Sequence, residues 1–198
     1  MESIWSRASE GDNLYYGKEA IDGILRHADA YLENDPESWA PISDAATLAG
    51  KAIAITKTTG GHALSYKLGT LFGLPHGLAT SLVNKELYPL LTRNKEKMED
   101  LESLRFLAHC FGGNKPEEGV ERYLEFLEEM DLIPKERRFY LERMDLHDSS
   151  PEKEQDFWKG TLETLTKSVN VERLQNHPMP LSEEEISGVY RSILMIEE

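Results

Sequence analysis

Apolar residues recur at three- and four-residue intervals along most of this chain, and no stretch alternates apolar with polar. That spacing builds helices that bury one face and leaves nothing from which to build a sheet. Ile21, Ile24, Leu25, Ala28 and Leu32 share one helical stripe, which Asn34-Asp35-Pro36 ends. Ser43 reads as the N-cap of an alanine-rich helix from Asp44 to about Thr56, with Gly50 in it. The next helix runs from about His62 to Phe72, where Gly73 and Pro75 form a stop signal. A fourth begins near Gly77 and continues through Leu87 and Leu91. Leu101, Leu104, Leu107 and Ala108 mark another stripe, as do Val120, Tyr123, Leu124 and Leu127. Short elements are expected after Pro134 and Pro151, the latter with Ser150 as its N-cap. Ser182 and Glu185 form a capping-box pattern ahead of Ile186, Val189, Tyr190, Ile193 and Leu194. The expected fold is all-α, a helical bundle of roughly eight to ten short helices.

The 198 residues fit one all-helical domain, 1–198, large enough for a core without staples. A subdomain change could fall near residue 95, because 25 of the 36 carboxylates come after it. The net charge of −14 argues against a nucleic-acid backbone as partner, since that demands a basic face. The single cysteine, Cys110, cannot close an internal disulfide and favours a reducing compartment. Met1 to Arg7 has no apolar signal-peptide core, and no apolar run reaches the ~20 residues of a membrane helix. A cytoplasmic protein that does not bind membranes is therefore expected.

Against this acidic background, nothing between Asp44 and Glu86 is Asp or Glu, while Lys51, Lys57, Lys67 and Lys85 lie in the same stretch. Such an island is either buried core or faces an anion. It holds His62 after Gly60-Gly61, and His76 between Pro75 and Gly77. On a helix, His62 and Tyr66 are i, i+4 neighbours, and Gly69 continues their face, where its bare backbone admits a ligand or another backbone. His76 falls at a helix start, whose partial positive charge disfavours imidazolium, and neutral imidazole is the metal-binding form. Two imidazoles from adjacent elements could meet at one cation. The competing reading is a core histidine and a turn histidine, since a metal site needs further ligands.

The run Ala52-Ile53-Ala54-Ile55-Thr56-Lys57-Thr58-Thr59-Gly60-Gly61-His62-Ala63-Leu64-Ser65-Tyr66, followed by Gly73-Leu74-Pro75-His76-Gly77-Leu78-Ala79, resembles the iron-containing (group III) alcohol dehydrogenases. Asn170 to Pro178 and the helix ending at Leu194 resemble that family's C-terminus, and Glu2-Ser3-Ile4-Trp5-Ser6 extends the similarity to the start. The resemblance implies the family's C-terminal helical domain, with the N-terminal dinucleotide-binding domain absent from this chain. It implies that His62 and His76 are metal ligands for iron or zinc. The other usual ligands, an aspartate and a histidine one helical turn later, would lie just upstream of Met1. The implied activity is oxidoreduction: alcohol and aldehyde interconverted by hydride transfer, with NAD or NADP bound by the missing domain. The isolated chain is then expected to be inactive. Tyr66, next to the metal face, could touch substrate or cofactor; Lys67 could meet an anionic substrate group, the alternative being a plain solvated lysine.

Two alternatives stand beside this reading. The chain could be one subunit of a split dehydrogenase completed by a separate nucleotide-binding chain. It could also be a non-enzymatic helical module that associates with itself as a homo-oligomer. His147-Asp148 lacks partner histidines at the spacing a phosphohydrolase needs. His27, His109 and His177 read as helix-surface or loop residues, and Cys110 as a small buried hydrophobe.

Overall fold

The computed structural model describes residues 1–98, 100–169 and 171–196. Among them there are eleven α-helices, one 3-10 turn and no strand. The helices are α1 (Glu2–Trp5), α2 (Asp12–Leu32), α3 (Pro36–Thr56), α4 (Gly60–Phe72), α5 (His76–Arg93), α6 (Glu102–Cys110), α7 (Pro116–Glu129), α8 (Arg138–Arg143), α9 (Pro151–Lys167), α10 (Val171–Leu174) and α11 (Glu183–Leu194). The all-α expectation holds. No helix among the described residues is long and apolar enough to cross a membrane.

Two helix boundaries depart from the sequence reading. The helix expected from Asp44 starts at Pro36, so Ser43 is no cap and its carbonyl accepts the Thr47 hydroxyl at 3.0 Å. Asp35 is the cap: its carboxylate accepts the Glu37 N–H at 3.0 Å, and Pro36 takes the first position, where a missing N–H costs nothing. Pro41 then sits inside the helix and removes only one early bond. The element after Pro151 is not short; α9 runs for 17 residues from its Ser150 cap.

The apolar stripes close into two cores that share α5. Leu82, Val83 and Leu87 pack with Leu64 and Phe72 of α4 and with side chains of α8, α9 and α11. One turn on, Tyr88 and Leu91 join Ile4 and Trp5 of α1, with Leu104 and Leu107 of α6. Residues of α5 are thus fixed from both sides, and α4 lies against them. Gly69 turns its Cβ-free side toward α5, where an added Cβ would meet that of Ala79 at 3.4 Å. Of the two uses foreseen for that bare backbone, close helix packing is the one realised. Gly73 ends α4 in the left-handed conformation (φ 62°), and Pro75 then starts α5 at His76.

Candidate metal centre

The first turn of α4 has no cap of its own. Thr59 stands at the N-cap position but its side chain caps nothing. The free donors are taken by groups from elsewhere in the chain. Glu2 reaches in from α1, and its Oε2 accepts the Thr59 N–H at 2.7 Å, the Thr59 hydroxyl at 2.9 Å and the His62 N–H at 3.3 Å. His177 accepts the Gly60 N–H on Nδ1 at 3.3 Å. A carboxylate at a helix N-terminus also meets the positive end of the dipole. Trp5, one turn beyond Glu2, donates its indole N–H to the Thr59 hydroxyl at 2.9 Å and pins α1 in place.

The paired glycines make this arrangement possible. A Cβ on Gly61 would fall on Asn84 Oδ1 and Glu2 Oε1, and one on Gly60 would stand 2.9 Å from His177 Nδ1. Only glycine admits three side chains so close to the helix start.

The other oxygen of Glu2 sets the chemistry of His62. Oε1 lies 2.6 Å from His62 Nδ1. Burial would raise the Glu2 pKa, but the hydrogen bonds from His62 and Thr59 outweigh it and bring it down to about 2. Glu2 is therefore a carboxylate, which can only accept, so Nδ1 carries the proton and donates it. Nε2, the other ring nitrogen, points away from Glu2 and is the one placed to bind a ligand. A carboxylate behind one ring nitrogen, with the other free to bind, is how metal-ligating histidines are oriented.

His76 stands beside this ring. The two imidazoles meet edge to face with centroids 4.9 Å apart, although one belongs to α4 and the other to α5. Tyr66 stacks on His76 at 5.6 Å and 21°. Tyr66 as a residue is 43% exposed, so the pair lies near the surface on that side. The structure thus brings together His62, His76 and Tyr66. Lys67, the next residue, is exposed on α4. Among the described residues, no group of three or more His, Cys, Asp or Glu side chains is placed to hold a metal ion.

His177 lies in a loop, one of the two places the sequence suggested, but it is 1% exposed, because the turn carrying it folds beneath α4. Burial lowers its pKa to about 4, so it stays neutral and its Nδ1 is free to accept from Gly60. Glu2, Asn84 and Arg173 also escaped the reading of the sequence. The only signal for Glu2 was its place in the resemblance, since nothing local marks a glutamate as buried 60 residues from its partner. Cys110 is half-buried, and burial pushes its thiol up to about 11, which suits a packing residue rather than a nucleophile. His147 and Asp148 pair with each other at the surface.

A cavity of about 510 Å³ opens beside His62. Its walls are mostly apolar, from Ile21, Leu25 and Ala28 of α2 to Tyr123 and Leu127 of α7. Met1, Glu2 and Ser3 form part of the wall, and Thr80, Asn84 and His62 give it one polar edge. Asn84 Oδ1 is buried there without a hydrogen-bond partner in the structure.

Fold and site together define an all-helical domain that presents two adjoining imidazoles, one of them oriented by a buried carboxylate. Residues 12–194 match the Fe-containing alcohol dehydrogenase family, C-terminal. The chain belongs to that family. Iron-containing alcohol dehydrogenase from Thermotoga maritima superimposes with a TM-score of 0.73 at 28% identity, over 98% of this chain and 46% of that one. Sulfoacetaldehyde reductase from Bifidobacterium kashiwanohense, solved with NAD+, shares the fold with a TM-score of 0.74 at 18% identity, over 99% of this chain and 47% of that one. A stretch of 80 residues, 39% of this chain, is 32% identical to the phosphonoacetaldehyde reductase of Streptomyces viridochromogenes and covers 20% of it. The chain spans less than half the length of each of these relatives.

Proposed function

We propose that this chain supplies the metal-binding half of a nicotinamide-dependent alcohol dehydrogenase or aldehyde reductase. His62 and His76 give two nitrogen ligands to one divalent ion, iron or zinc. The observation that carries this reading is the Glu2–His62 hydrogen bond, which engages Nδ1 and leaves Nε2 as the nitrogen that can ligate, beside a second imidazole. The donor set fits: neutral imidazole suits both metals, and the carboxylate behind it raises its basicity. Two imidazoles leave most of the coordination sphere to other donors. A bound divalent ion supplies Lewis-acid polarisation of an alcohol or aldehyde oxygen, and a nicotinamide supplies or accepts the hydride.

What the chain's own residues do is hold and shield. Glu2 and His177 fix the turn from which His62 projects. Tyr66 covers one face of His76 and borders the space where a small alcohol or aldehyde would lie. The remaining ligands come from a helix of the nucleotide-binding part, in the same polypeptide or in a separate chain. The apolar cavity beside His62 is where that helix packs, entering at the wall formed by Met1, Glu2 and Ser3.

Calorimetric titration with zinc and with ferrous ion tests this reading. Weak binding to the chain alone is expected, lost in both His62→Asn and His76→Ala. Binding should become tight when a nucleotide-binding half of the family is added. Binding that survives both substitutions, or that the added half leaves unchanged, would contradict it.

A further inference from the structure

Asn84 is a polar residue in an apolar setting. It sits on α5 beside the core residues Leu82, Val83 and Leu87, and is itself only 7% exposed. Its Oδ1 is buried without a hydrogen-bond partner. A single Cβ on Gly61 would strike both Asn84 Oδ1 and Glu2 Oε1, so these two oxygens are close neighbours across the start of α4. Both are acceptors, and no proton lies between them. An amide oxygen buried against a carboxylate in this way has given up water and gained nothing in return.

Glu2 is unevenly used. Its Oε2 accepts from the Thr59 N–H, the Thr59 hydroxyl and the His62 N–H. Among the described residues, Oε1 accepts from His62 Nδ1 alone. Oε1 therefore has a lone pair to spare, and the neighbouring amide carries two donors at its other end. Turned half a circle about its last side-chain bond, Asn84 keeps its shape and sets Nδ2 against Oε1. The bond then formed is charge-assisted. Oδ1 moves away from Glu2 to the cavity edge that Asn84 shares with His62 and Thr80.

We propose that Asn84 is a positioning residue, which donates through Nδ2 to Glu2 Oε1 and so holds the carboxylate that orients His62. This rests on the function proposed above for its purpose, since the ring it steadies is the one read there as a metal ligand. His76 begins α5, and Asn84 lies about two turns further along the same helix. One helix thus supplies the second imidazole and grips the support of the first. That fixes the spacing of two rings that come from different elements.

The test is NMR at neutral pH, without metal, on the ¹⁵N-labelled parent chain and on Asn84→Leu. In the parent, an Asn84 side-chain N–H proton should show a cross-peak to the His62 Nδ1 proton, because both donate to one oxygen. Asn84→Leu keeps nearly the same volume and removes both polar ends. In it, the His62 Nδ1 proton should exchange with water at least tenfold faster. A residue that merely filled space would leave that rate where it was. An unchanged rate in the folded variant would overturn the proposal. So would Asn84 N–H protons with no cross-peak to His62, and that result needs no variant to fold. Neither signal involves a metal, so the proposal can stand where the calorimetric titration fails, and fall where it succeeds.

Discussion

The helices α4 and α11 begin in opposite ways. At α11 the cap is local: the Ser182 hydroxyl accepts the Glu185 N–H at 3.1 Å, and the Glu185 carboxylate accepts the Ser182 N–H at 2.8 Å. Four consecutive residues close that end by themselves. At α4 the same need for partners is met by Glu2 and His177, which lie 57 and 117 residues away from the groups they cap. A local cap stabilises one helix. A remote cap ties three parts of the chain to one turn, and that turn carries His62. The difference teaches that the α4 start is built to position a side chain as well as to end a helix.

The comparison can be broken first at Glu2. Replacing it with alanine leaves the Thr59 N–H, the Thr59 hydroxyl and His62 Nδ1 without their acceptor. Removing one partner from such a buried cluster should cost about 3–5 kcal/mol, read as a lower urea midpoint at unchanged slope. A midpoint within error of the parent would mean that Glu2 is not the cap described here.

The next largest effect is a pH dependence. The folded pKa of His177 is depressed from 6.5 to about 4, so the unfolded chain binds a proton that the folded one refuses. Its contribution is complete above pH 6.5 and is lost as pH falls from 6.5 toward 4, a loss on the order of 3 kcal/mol. Glu2 acts in a lower window, between 4.5 and about 2, also losing stability as pH falls. Denaturation measured from pH 7 to 4 should therefore show a decline that largely vanishes in His177→Gln. A parallel decline in the variant would point to other groups.

The smallest effect sharpens the contrast from the other side. Ser182→Ala should cost ~1 kcal/mol, as the loss of a single N-cap does. Because that cap is local, the resonances of His62 and Tyr66 should not move, whereas in Glu2→Ala they should. Shifts at His62 in Ser182→Ala would join the two helix ends that the account keeps apart.

The same contrast explains what could be read from the sequence. The all-α fold, the α11 start and the stop at Gly73 rest on residues within four positions of each other, and all were legible. So were the paired histidines, because glycines and proline flag both. The start of α3 was misread because Ser43 has the chemistry of a cap, yet it lies inside a helix that Asp35 and Pro36 begin. Glu2 and His177 were invisible as partners of α4. A buried glutamate in a one-turn helix and a histidine in a turn carry no periodic signature, and their roles exist only once distant segments meet. Arg173 escaped for the same reason: Thr58, which accepts from its Nη1, and Tyr66, whose ring it covers, lie on another part of the chain.

The central claim is that a buried carboxylate fixes His62 with the proton on Nδ1 and a bare Nε2. The most direct measurement is the tautomeric state of His62 in the ¹⁵N-labelled chain at neutral pH, from long-range couplings between the ring protons and nitrogens. The account predicts a protonated Nδ1 and an unprotonated Nε2, with that preference lost in Glu2→Ala. A ring protonated on Nε2, or one whose tautomer ignores the removal of Glu2, would contradict it.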